Sequence, residues 1–224
     1  PMVSSPIAGF TLGVLILALL YAIVAGLRKA GGPLARLSRP RWVNAFFGKA
    51  QLASAAYMGF AHGTNDAQKT MGIIALAIFA AQGAGTLDNL PAWAQFLHPD
   101  GGKEDIDKWV VITCALVMAA GTAAGGWRII KTLGHKMVKL QPIDGFAAET
   151  ASATILVTAA HFGMPVSTTH SISTAIMGVG FGKNPRKLKF TVIERIVWAW
   201  ILTIPAAGGI AYGLLRIAEM LGWT

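Results

Sequence analysis

The sequence is poor in charge: 13% of its 224 residues are Asp, Glu, Lys or Arg, where ordinary soluble domains run near a quarter. So dilute a charge, beside 54% hydrophobic residues, argues against a water-soluble fold. The single cysteine, Cys114, excludes a disulfide framework and any Cys-based metal site. No G-x-x-x-x-G-K-[ST] loop occurs, so the common phosphate-cradling nucleotide motif is missing. The first apolar stretch ends in a basic run and not in a small-residue cleavage site, which argues against a signal peptide.

What is present is long apolar segments. Residues 7 to 27, IAGFTLGVLILALLYAIVAGL, contain no charge and match the roughly 20 residues that cross a hydrocarbon core of about 30 Å. The chain therefore reads as all-α and polytopic, a single membrane domain over 1–224 in a cell (inner or plasma) membrane. The formal net charge of +9 is a matter of topology: thirteen of the nineteen Lys and Arg residues fall in 28–41, 128–139 and 183–189. The positive-inside rule puts those three loops in the cytoplasm and the acidic 88–107 loop opposite, so no nucleic-acid partner is needed. Crossings are then expected at 7–27, 46–83, 109–127, a hairpin over 144–182, and 191–217. Trp93, Trp109, Trp127, Trp198, Trp200 and Trp223 lie mostly near segment ends, as interfacial anchors do. The chain begins at Pro1 and runs almost directly into a membrane segment, which predicts further sequence upstream.

Two segments depart from plain spans. The one over 46–83 is longer than a single crossing needs and carries HGTNDAQK at its middle. The hairpin carries Glu149, a Gly-Met-Pro break at 163–165 and then the hydroxyl run of PVSTTHS. Broken helices at membrane depth are tolerated only where the freed backbone lines a cavity or is buried in protein, and such breaks point to a transporter's binding site. A carboxylate at mid-bilayer costs roughly 2.5 to 3.5 kcal/mol, so Asp66 calls for a cation or water. Asn65 and Gln68 add amide donors, and a half-helix starting near Ala67 would aim free N–H groups and a positive dipole end at the break, an anion site in embryo. Lys69 either serves the anion or snorkels, and His62 is a proton-linked group or a satisfied structural histidine. Pro165 suits the first turn of a new helix, where Ser167, Thr168 and Thr169 offer neutral donors to an oxyanion, with His170 beside them. Glu149, with Thr150 and Ser152 nearby, suits a second oxygen-rich cation site. No resident metal, cofactor or catalytic group is expected.

These motifs carry a resemblance. AHGTNDAQKTMG resembles the G-x-N-D signature of the inorganic phosphate transporter (PiT) family, in its bacterial low-affinity form with Gln and Lys after the Asp. GFAAETASATILVTAAHFGMPVSTTHS is similar to that family's G-F-x-x-E helix followed by P-[VI]-S-T-T-H. The resemblance implies one repeat of an inverted-repeat transporter, the C-terminal half, with the N-terminal repeat as missing partner and a homodimer allowed. It implies secondary active transport of inorganic phosphate, free or as a metal–phosphate complex, coupled to a proton or sodium. Asn65, Gln68, Ser167, Thr168 and Thr169 would hold phosphate, Asp66, Glu149 and Thr150 would serve the coupling cation, and His62, Lys69 and His170 would assist. A sulfate permease needs almost the same donors. An intramembrane serine hydrolase, using Ser167 or Ser171 with His170 or His62, is the remote alternative.

Overall fold

Long runs of Leu, Ala, Ile and Val leave the backbone no partner in lipid but itself, and helices result. The computed structural model describes residues 4–87, 90–97, 106–131 and 137–222, and within them it is helical throughout: α1 (Ser4–Ala30), α2 (Gly32–Leu37), α3 (Pro40–Gly83), α4 (Lys108–Lys131), α5 (Pro142–His161), α6 (Thr168–Lys183) and α7 (Phe190–Met220), with short 3-10 turns at Ala92–Leu97 and Pro185–Lys187. Three of these, Ser4–Ala30, Lys108–Trp127 and Phe190–Met220, are long and apolar enough to cross a membrane on their own. Half of the acidic loop, residues 88–89 and 98–105, lies outside the described residues, as do 132–136 of the second basic loop and Trp223.

The core sits where α1 meets the α5–α6 hairpin. Leu17, Ala147, Ala151, Ala175, Ile176 and Val179 form its centre. Small residues let the backbones approach: a Cβ on Gly13 would lie 2.5 Å from the Ala175 carbonyl oxygen, and one on Gly178 would overlap the Phe10 carbonyl. Close helix pairing through such residues is the usual way membrane helices associate. At the opposite end from the hairpin turn, Asp144 is fully buried. It accepts from the Gln141 N–H (2.8 Å) and the Tyr21 hydroxyl (3.2 Å) and pairs with Lys183. This ties α1 to both feet of the hairpin.

The hairpin breaks where the glycine and proline predict it. Gly163 takes φ +63°, the Gly163 N–H donates to Ala160 O at 3.1 Å and the Met164 N–H to Ala159 O at 2.8 Å. That is a Schellman termination of α5. Pro165, however, is not the first residue of the next helix. It lies in the linker, and Ser167 is the N-cap of α6, accepting from the His170 N–H at 3.4 Å.

The expected break at HGTNDAQK does not occur, because α3 runs unbroken over 44 residues. No proline follows Pro40 within it, Thr64 returns its hydroxyl to the Phe60 and Ala61 carbonyls, and a single internal glycine costs only about 1 kcal/mol. At about 1.5 Å per residue the helix is about 66 Å long. No half-helix therefore begins near Ala67, and the positive helix end facing the site belongs to α6 alone.

Candidate functional site

Helical spacing selects what α3 presents. Gln51, Ser54, Met58, Ala61 and Asn65 recur at steps of three and four, so they form one stripe along the helix. Ser54, Ala61 and Asn65 are buried, and Met58 and Ala61 pack on Ala153, Leu156, Ala159 and Val166 of the hairpin. His62, Asp66 and Lys69 lie at the same steps beside that stripe. Where it meets the hairpin break, polar groups converge.

Asp66 is the centre of this cluster. Its Oδ2 accepts from the Thr168 hydroxyl at 3.0 Å and its Oδ1 from Lys69 Nζ at 3.1 Å. His62 Nδ1 lies 3.3 Å from Oδ2. Lys69 Nζ also donates to the Val166 carbonyl, an oxygen in the linker between α5 and α6. The carboxylate is thus paired and hydrogen-bonded, the condition under which a charge is tolerated away from water. One turn of α3 and the first residue of α6 share one carboxylate. Asn65 is 4% exposed, and its amide nitrogen has no hydrogen-bond partner among the described residues. Buried polar groups are rarely left so.

A cavity of about 510 Å³ opens on His62 and Asp66 between α3 and α4, with Thr70, Thr113, Cys114 and Thr122 among its walls. The hydroxyls of α4 were not among the sequence candidates. Their only signal is that Thr113 and Thr122 are the two hydroxyl residues of a helix whose middle is mostly Ala, Gly and aliphatic.

Not every candidate reaches this place. Gln68 is exposed, two residues and so about 200° around α3 from Asp66. Thr169 is exposed on the first turn of α6, next to the buried Thr168. The His170 ring packs on Trp200, centroids 4.1 Å apart, while the Ser171 hydroxyl donates to Ser167 O at 3.0 Å. Among the described residues no serine hydroxyl is hydrogen-bonded to a histidine ring, the pairing of nucleophile and base that a hydrolase requires.

Glu149 stands apart from the Asp66 cluster, with partners of its own. Glu149 accepts from Gln51 Nε2 at 3.4 Å and from the Ser54 hydroxyl. Ser54 and Asp66 are twelve residues apart on one straight helix, about 18 Å along its axis. Two carboxylate clusters exist, each bridging α3 to the hairpin. Thr150 accepts through its carbonyl from the Thr154 hydroxyl at 2.8 Å, and Ser152 is buried with its hydroxyl unpartnered among the described residues. Gln51 and Ser54 were missed in the sequence, although their step of three and their register with Asn65 were there to be read.

Comparison with known proteins follows the same outline. The model of the phosphate transporter family matches residues 1–211. A protein of Mycobacterium tuberculosis named "Probable low-affinity inorganic phosphate transporter" is 40% identical over 173 residues, 76% of this chain and 38% of that one. One of the same name from Bacillus subtilis is 36% identical over 219 residues, 96% of this chain and 58% of that one. A solved structure titled "The sodium-dependent phosphate transporter" shares the fold, with a TM-score of 0.67 at 20% identity, over 91% of this chain and 61% of that chain. The chain thus spans 38% to 58% of the length of these two relatives.

Proposed function

The chain belongs to the phosphate transporter family and is a multi-pass membrane protein, and on that premise we propose that it supplies one binding half of a carrier moving inorganic phosphate with a cation across the cell membrane. One observation carries the proposal: the Asp66 carboxylate of α3 meets the Thr168 hydroxyl and, through Lys69, the Val166 carbonyl at the hairpin break. A carboxylate and a helix start share one seam between two elements.

Phosphate is a tetrahedral oxyanion and needs donors in place of its water. The buried, unpartnered Asn65 amide offers one. The first N–H groups of α6, at Thr168 and Thr169, have no carbonyl within the helix to accept them, and the dipole favours an anion there. Ser167 adds a hydroxyl at the same helix end. Asp66 would repel the anion unless a cation, proton or sodium, screens it, so binding of the two is coupled through charge. The Glu149 cluster, with Gln51 and Ser54, is a second cation-coupling position at a distance. One half of the carrier offers donors from one side only, and a homologous repeat would close the site around the anion, with rocking of one against the other giving alternating access.

The test is uptake of labelled phosphate into proteoliposomes of the full-length protein. Asp66→Asn is expected to abolish cation-dependent uptake with membrane insertion intact, and wild-type transport by that variant would refute the role. Unlabelled sulfate serves as competitor. Full competition at low excess would move the substrate to sulfate, and a requirement for a divalent metal would make the cargo a metal–phosphate complex.

A further inference from the structure

Lys69 is not placed as a ligand for an anion. Its ammonium has three N–H groups, and two are committed, one to Asp66 Oδ1 at 3.1 Å and one to Val166 O. The Val166 carbonyl lies in the linker where α5 has ended and α6 has not begun, so it is an oxygen released from helical pairing. The Thr168 hydroxyl stands on the other oxygen of the same carboxylate. Carboxylate, freed carbonyl and hydroxyl are the hard oxygen donors from which broken membrane helices build sites for small cations. The ammonium, of charge +1, sits among them.

We propose that Lys69 is a tethered cation, filling the subsite between Asp66 and the Val166 carbonyl, and that it thereby sets which coupling ion this site accepts. This rests on the reading of Asp66 as the cation-coupling carboxylate. A second unit charge brought within about 4 Å of the ammonium would be disfavoured on the order of a thousandfold at an effective dielectric of about 20. Sodium therefore enters only when the Lys69 head leaves. A lysine on a flexible four-carbon stem, 35% exposed along its side chain, can withdraw toward water. The pair Asp66 and Lys69 is thus satisfied without an external metal ion.

The experiment uses purified full-length wild-type protein and the variants Lys69→Met, Lys69→Gln, Lys69→Arg, Asp66→Asn, and Lys69→Met with Asp66→Asn. Thermal unfolding is followed in sodium chloride against choline chloride with no phosphate present. Lys69→Met is expected to gain a saturable sodium-dependent stabilisation, with sodium affinity at least about a hundredfold above wild type, and to lose it in the double variant. Lys69→Arg, which keeps the charge, is expected to stay unresponsive. The sodium response lost on Asp66→Asn is the part that counts, because the Glu149 cluster offers its own oxygens. No response in Lys69→Met, an equal Asp66-dependent response in wild type, or a response surviving in the double variant overturns the proposal. Should Lys69→Met and Lys69→Gln both fail to fold, Lys69 is a structural pin and the proposal falls as well. Since phosphate is absent, a carrier that moves no phosphate would refute the proposed function and leave this result standing.

Discussion

Replacing Lys183 by methionine is expected to destabilise the protein more than replacing Asp144 by asparagine, although the two residues form one ion pair. Asp144 has no exposed surface, while the Lys183 side chain is 26% exposed. Without Lys183 the carboxylate stays buried with only the Tyr21 hydroxyl and the Gln141 N–H as donors. Breaking a buried pair in this sense costs about 3 to 5 kcal/mol, most of it the uncompensated charge. Without Asp144, the lysine sits at the C-terminal end of α6, where the helix dipole favours a cation and the stem can carry the head to water. Asparagine keeps an acceptor for the Gln141 N–H, so the loss is about that of a charge-assisted hydrogen bond, roughly 1.5 to 3 kcal/mol. The gap between the two variants is then about 2 kcal/mol. Adding Asp144→Asn to Lys183→Met should restore stability, since the buried charge is gone. The assay is denaturant unfolding in detergent micelles at neutral pH, followed by tryptophan fluorescence. Equal losses, the opposite order, or a double variant whose losses simply add would refute the reasoning.

Two further outcomes follow from the packing and the site. Asn65→Leu removes the buried donor while keeping the branching of the side chain and is expected to raise the KM for phosphate about tenfold or more, as the loss of a hydrogen bond to a charged group implies, with sodium or proton stimulation kept. Unchanged KM in proteoliposome uptake would remove Asn65 from the anion site. Gly13→Ala places a methyl 2.5 Å from the Ala175 carbonyl, backbone that cannot step aside, and is expected to cost about 1 to 3 kcal/mol by overpacking. A variant as stable as wild type in the same unfolding assay would mean that α1 and α6 are not held in contact.

Composition and the spacing of apolar residues were enough to fix an all-helical membrane chain, because lipid offers the backbone no partner and the helix is then the open chain's way to satisfy itself. Gly163 and Pro165 likewise fixed the hairpin break, since a left-handed residue followed by a proline ends a helix whatever surrounds it. Asp66 stood out for a similarly local reason, the cost of an ionised group in an apolar run. Whether HGTNDAQK would break its helix was not decided locally, because none of its residues forbids the helix, and α3 in fact continues through it. Nor did sequence tell that Glu149 meets α3 at Gln51 and Ser54, about 18 Å along that helix from Asp66, or that the Lys69 ammonium rests on the Val166 carbonyl. Those are distances between segments up to about a hundred residues apart, and only the way α3 lies against the hairpin sets them.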